Sequence, residues 1–365
     1  MCEAASLLAR CTTSIIPCGS DHHEEGASIG ARIYSARLGV LADQQFQAAL
    51  ARWDLGDFVR AEPITSGLFG QNVFVTSTTG TWVLRGVPHY DWQFPAEQFF
   101  CDLLHMRTQT PVPWPYLIDP RDDIFGWSYA LMPRMPGLQP ADPAVAHRLA
   151  PTDRLGMAQA MAKNLACMQE LTWPVSGGFD LTAGTITPYP GSWADWVVAD
   201  VYRWLDLARL HSNRTSDADI QWVDALLHAA RPALDEPFQP CFVMHDYKEQ
   251  NATFERTGVG WRVSGIFDLM ESFFGDGEID LVRQMVQYME EDAALAQAFV
   301  RRYLELWPAR RGFRERLRIY LLWDRLVVWE YFQRPGRATP WQPELTLRAW
   351  LEPILEACEQ AAAAL

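Results

Sequence analysis

The chain has 365 residues, 49% of them apolar and 21% charged, which fits a folded protein of two lobes or two domains. Its formal net charge of −14 argues against non-specific nucleic-acid binding, which needs basic patches, and suits a cationic small-molecule substrate. No run of about 18 apolar residues offers a membrane span, the start of the chain lacks signal-peptide character, and seven scattered cysteines without a C-x-x-C pair point to reduced thiols. A cytoplasmic protein without membrane or nucleic-acid partners is expected; the oligomeric state is left open.

Residues 1–40 read as a poorly ordered extension that runs into the start of the first helix, since no periodicity is sustained before Leu41. From there LADQQFQAALARW carries apolar residues at helical spacing. Two strand-like runs follow, AEPITSGLFGQNVFVTS and TGTWVLRGV, joined at Thr79-Gly80. The segment PAEQFFCDLLHMR is helical, a proline-dense loop comes next, and a further strand pair ends at SYALMPRMPG. Beyond Gly137 residues 142–172 and 192–235 read as helices, and WPVSGGFDLTAGTITPYPGS between them as a long loop. Short strands return at CFVMHD and in the hairpin ATFERTGVGWRVSGIFD, and from Asp280 onward the pattern is helical. The expected fold class is α+β, with a small β-rich N-lobe over residues 41–132, an inter-lobe segment at 133–137 and a larger, mainly helical C-lobe over 138–365.

Motifs exclude several chemistries. The chain has no G-x-x-x-x-G-K-[ST], H-E-x-x-H, G-x-S-x-G or G-x-G-x-x-G sequence, and its one G-x-G, at Gly258, falls in a hairpin turn. What remains is MHDYKEQN followed by GIFD. Asp246 and Asn251 stand five apart after an apolar strand, and Asp268 ends a second apolar strand. Phosphoryl transfer needs a carboxylate to orient and deprotonate the attacking hydroxyl, and hard oxygen ligands for magnesium on the phosphates. One tight loop and a neighbouring hairpin can supply both.

These residues resemble the protein-kinase superfamily, and more closely its aminoglycoside phosphotransferase branch, where the loop looks like H-G-D-x-x-x-x-N and the second aspartate follows a G-V-I-D strand. A G-D-x-x-x-D-L element just after it is matched by Gly275–Leu281, and the likeness spans roughly residues 41–335. The resemblance implies a two-lobed, protein-kinase-like fold that uses ATP or GTP with Mg²⁺. It makes Asp246 the catalytic base, Asn251 and Asp268 the metal ligands, and Asp280 a brace for the loop. The family histidine lies two residues before the aspartate; here Met244 holds that place and His245 is adjacent. Lys248, one of only two lysines beside 29 arginines, stands where many protein kinases contact the γ-phosphate.

For the nucleotide, the resemblance assigns Arg85 on TWVLRG to the position usually held by lysine, with Glu97 as its partner. Ser66, Gly67 and Gly70 belong to a turn whose glycines would let phosphate approach the backbone, and the Pro133 carbonyl and Met135 N–H would meet the base. Between Asp268 and Asp292 eight carboxylates face one base, Arg283; Glu271, three residues after Asp268, is the candidate contact for an amine on the acceptor. The expected partner is therefore a small molecule with a hydroxyl, an aminoglycoside-like or other amine-bearing polyol, the former with a role in antibiotic resistance. The alternatives are a metabolite kinase of choline, sugar or homoserine type, or a catalytically dead binding protein of the same fold.

Overall fold

The computed structural model describes residues 31–64 and 70–363. Its N-terminal part is built on alternation. In β4 (Asn72–Ser77) Val73, Val75 and Ser77 point inward while their neighbours do not. With β3 (Phe58–Pro63), β5 (Thr81–Gly86), β6 (Leu117–Asp119) and β7 (Tyr129–Pro133) it forms an antiparallel sheet in the order β3-β4-β5-β7-β6. One face buries Val73, Val75, Leu84, Tyr129 and Leu131 against Phe46 of α1 (Asp43–Ala51). Arg85 follows Leu84 and therefore points to the other face, toward α2 (Gln93–Arg107).

Helix α2 is bound to the C-terminal part as firmly as to the sheet. Its Phe100 ring lies 5.7 Å from that of Phe242 and 6.2 Å from that of Phe274, and Phe94, Phe100, Cys101 and Leu104 all belong to the large core. That core is closed by helices α4 (Pro151–Met168), α5 (Trp193–His211), α6 (Asp217–Leu234), α7 (Asp280–Glu291), α8 (Ala293–Leu306), α9 (Phe313–Gln333) and α10 (Leu347–Ala363), while the short α3 (Pro143–Ala146) buries no residue. α5 and α6 start at capping boxes, Ser192 with Asp195 and Ser216 with Asp219, which satisfy free N–H groups at the helix start. No helix among the described residues is long and apolar enough to cross a membrane.

Two segments differ from the sequence expectation. Residues 173–192, read as a loop, contain a hairpin of β8 (Gly177–Asp180) and β9 (Thr185–Pro188); with β10 (Cys241–Val243) and β13 (Phe273–Gly275) it forms an antiparallel sheet in the order β10-β13-β8-β9. Strands of three or four residues are too short to show a period. Part of the segment taken as an extension is also folded: β1 (Arg32–Ser35) pairs with β2 (Gly39–Leu41), and Tyr34, Leu38 and Leu41 join the core over the sheet. Only residues 1–30 of that extension lie outside the described residues.

Strand β10 leads into the turn at Met244–Asp246, and α7 fixes that turn. The carboxylate of Asp280, the first residue of α7, accepts the backbone N–H groups of Met244 and His245, each at 2.7 Å. Burial pushes its carboxyl up to about 7 despite these two donors. Asp280→Asn keeps one acceptor and turns an amide N–H₂ toward the second backbone N–H. It should cost ~1–3 kcal/mol, read as a lower urea midpoint at unchanged slope; an unshifted midpoint would remove Asp280 as the brace.

Candidate active site

His245 begins the site in a left-handed conformation, φ 68°, with its N–H held by Asp280. Its ring lies 5.4 Å from those of Phe273 and Trp323. Burial, then the nearby Arg283 guanidinium, push it down to about 4, so the imidazole is neutral at physiological pH. Met244, in the place of the family histidine, is fully buried in the core.

Asp246 then receives three side chains. Lys248 Nζ donates to both carboxylate oxygens, at 2.6 and 2.9 Å, Asn251 Nδ2 donates to Oδ2 at 3.0 Å, and Arg283 donates to Oδ1. Burial alone would raise this carboxyl, but Arg283 and Lys248 outweigh it and bring it down to about 2. The stabilisation from these pairs is complete above the ordinary carboxylate range and is lost only as pH falls through about 2. Arg283 also donates to Asp324 at 2.7 Å, and Asp324 is in turn bonded to Arg325.

Asn251 joins this loop to the second aspartate, because its backbone oxygen accepts the N–H of Phe267 at 3.1 Å. The hairpin of β11 (Ala252–Thr257) and β12 (Gly260–Ile266) delivers Asp268 at φ 71°. There Arg85 donates to Asp268 Oδ1 at 2.6 Å and to Glu97. Glu97 is 2% exposed and saturated: it also accepts Tyr116 Oη at 2.8 Å and the backbone N–H groups of Asp268 and Leu269 at 3.1 and 3.3 Å. Arg85 Nε is buried with no hydrogen-bond partner among the described residues.

The structure thus gathers Asp246, Lys248 and Asn251 in one side-chain cluster and Asp268, Arg85 and Glu97 in another, linked through the backbone bond between Asn251 and Phe267. Lys248 lies on Asp246 within the first. Pro133 and Met135 are elsewhere, at the end of β7 and in the segment that follows, with Met135 packed against Gly265. Gly70 stands just before β4 at φ 58°, and Ser66 and Gly67 lie outside the described residues.

The carboxylate surplus after Asp268 requires a correction. Most of it is structural and does not form an acidic wall. Asp276 and Glu278 are buried against Arg310 and Arg316, Asp280 holds backbone, Glu291 pairs with Arg154, and Asp292 caps α8. Glu271 differs: it is exposed and has no ion pair among the described residues. Partial loss of water and then the charges of Asp246 and Asp268 push its carboxyl up. Arg283 and Tyr116 were missed as site residues. Arg283, one turn after Asp280 and the only base of its acidic stretch, was visible in the sequence; Tyr116, in a proline-rich loop, gave no signal.

Residues 60–313, more than half of the chain, match the phosphotransferase enzyme family. Among curated proteins none matches the chain. Solved structures do. A candidate aminoglycoside phosphotransferase of Ralstonia eutropha JMP134 is 17% identical over 88% of this chain and 98% of its own, with a TM-score of 0.61. A thermostable mutant of aminoglycoside phosphotransferase APH(4)-Ia, in ternary complex with ADP and hygromycin B, is 17% identical over 87% and 98%, TM-score 0.57. A candidate fructosamine-3-kinase of Thermobifida fusca YX-ER1 is 16% identical over 87% and 98%, TM-score 0.58. At such identities the likeness establishes the shared two-lobed α+β fold, and together with the family match over residues 60–313 it shows that this chain belongs to the phosphotransferase enzyme family.

Proposed function

We propose that the protein transfers the γ-phosphoryl group of ATP or GTP to a hydroxyl of a small molecule carrying an amine. The observation that carries this reading is the pair of clusters, Asp246 with Asn251 and Asp268 with Arg85, tied together by the backbone bond from Phe267 to Asn251. Its chemistry is that of phosphoryl transfer, in which protein groups position reactants and balance charge more than they form bonds. Asp246 orients the acceptor hydroxyl and takes its proton. Ionised throughout the physiological range, it is always in the accepting form. Lys248 and Arg283 lie close enough to share charge with the incoming phosphoryl group. Arg85, braced by Glu97, holds the nucleotide phosphates. Gly70 supplies the backbone side of that cradle, and Pro133 and Met135, in an inter-lobe segment at 133–137, flank the base.

The donor set also fits magnesium. Asn251 spends its N–H on Asp246, which leaves its side-chain oxygen, and Asp268 adds a carboxylate. Among the described residues no three His, Cys, Asp or Glu form a metal cage; Mg²⁺ is commonly held by one or two protein oxygens plus phosphates and water. Bound there, the ion would neutralise charge on the β- and γ-phosphate oxygens. Glu271, exposed, without an ion pair among the described residues and within the influence of Asp246 and Asp268, is the carboxylate for the acceptor, which favours a molecule with one amine near the reacting hydroxyl over one with many.

The direct test is ADP or GDP release from a panel of amine-bearing and neutral polyols with magnesium nucleotide. Asp246→Asn should lower kcat by about 10²–10⁴ and leave ADP affinity intact; retention of a tenth of the activity would exclude Asp246 as base. Arg283→Met removes a cation that holds Asp246 down, so the acid limb of kcat/KM should move up by about one pH unit. A limb that stays in place would show that Arg283 does not tune the base. Glu271→Gln should raise KM for the amine acceptor up to about fivefold, the scale of a partly exposed ion pair, with KM for nucleotide unchanged. A best acceptor that is neutral or acidic would refute the amine.

A further inference from the structure

The strand end that carries Arg85 is held by more contacts than strand pairing requires. Val87 lies at φ 49°, a left-handed conformation that β-branched residues rarely keep unless their surroundings impose it. Its carbonyl accepts Arg37 Nε at 2.9 Å, Arg37 Nη2 at 2.8 Å and Gln71 Nε2 at 2.5 Å. Beside it, Gly86 has no room for a Cβ because the Trp127 ring fills that space, and its N–H donates to the Gln71 carbonyl at 2.9 Å. Arg37 sits in the turn of the β1–β2 hairpin. Ser35, on the same hairpin, donates to the carbonyl of Gly70 at 2.5 Å and accepts the N–H of Leu38 at 3.0 Å.

Two side chains of one hairpin thus hold Gly70, two residues before β4, and Val87, just after β5, at the same end of the ladder beyond the register pair Asn72 and Arg85. The apolar contacts of the hairpin come from other residues, Tyr34, Leu38 and Leu41, so packing alone does not call for this polar clamp. The hairpin also precedes the segment matched by the family, which begins at residue 60. His89 lies under the influence of both guanidinium groups: burial first, then Arg37 and Arg85, push its imidazole down, which places the two cations in one neighbourhood.

We propose that the β1–β2 hairpin is a positioning element for the nucleotide, in which Ser35 and Arg37 fix the spacing between the Gly70 backbone and Arg85 for a phosphate-bearing ligand. The inference rests on the reading of Arg85 as the nucleotide contact. Arg37 acts through Val87 and is a positioning residue.

The test is calorimetric titration of the full chain with Mg²⁺ and ADP, using wild type, Ser35→Ala, Arg37→Ala, Arg37→Lys and the double alanine variant, with urea midpoints measured alongside. Arg37→Ala should weaken ADP about tenfold, the scale of a lost charged hydrogen bond. Arg37→Lys, which keeps one donor, should fall between, and the double variant should be weakest, with KM for the acceptor unchanged. Folded variants that bind ADP within twofold of wild type, with only the urea midpoint lowered, would make the clamp structural and overturn this inference alone. A wild type that binds no nucleotide would overturn the kinase reading and the inference with it.

Discussion

The site depends on one buried cation. Arg85 stands on a strand of the N-terminal sheet and donates to Glu97 on α2 and to Asp268 beyond β12, so a single guanidinium ties three elements across the cleft. A buried charge is tolerated only where partners replace lost water. Here the partners are themselves restrained: Glu97 by Tyr116 and two backbone N–H groups, and α2 by the aromatic packing of Phe100. Arginine suits the place better than lysine would. Its planar fork reaches two carboxylates at once, and it keeps its charge when buried.

A second shared cation sets the other half. Arg283 lies between Asp246 and Asp324, and Lys248 lies on the first of these. Alternation of charge along Arg325, Asp324, Arg283, Asp246 and Lys248 keeps the Asp246 carboxylate ionised although it is largely shielded from water. The same balance makes the cleft far less acidic than the net charge of the chain suggests. Overall charge describes solubility and long-range fields, and it is a poor guide to a cleft whose carboxylates already have partners.

Much of this was legible in the sequence. The spacing of Asp246, Asn251 and Asp268, the apolar strands before them and the pairing of Arg85 with Glu97 are local patterns or follow from a resemblance that carries its own geometry. What was not legible depends on contacts between distant segments. The β8–β9 hairpin joins its sheet through the pairing of β8 with β13, almost a hundred residues later, and its strands are too short to show alternation. The fate of Asp276 and Glu278 was set by Arg310 and Arg316, on the far side of α8 in the chain. The N-terminal hairpin, four and three residues to a strand, offered only Tyr34, Leu38 and Leu41 as a signal.

The segment between the lobes is sewn to the β11–β12 hairpin. Leu138 and Phe254 exchange backbone hydrogen bonds at 2.9 and 2.8 Å, Ser264 Oγ donates to the Pro136 carbonyl at 2.6 Å, and Gly265 lacks a Cβ where Met135 approaches. From Met135 onward, therefore, the chain moves with β12, and Asp268 is two residues beyond the end of that strand. A swing of the sheet has to bend ahead of this stitching, near Arg134, whose N–H is still held by Thr81. Residues 135–138 and the strand that leads to Asp268 are therefore one packed unit, so a displacement of Met135 would press directly on β12.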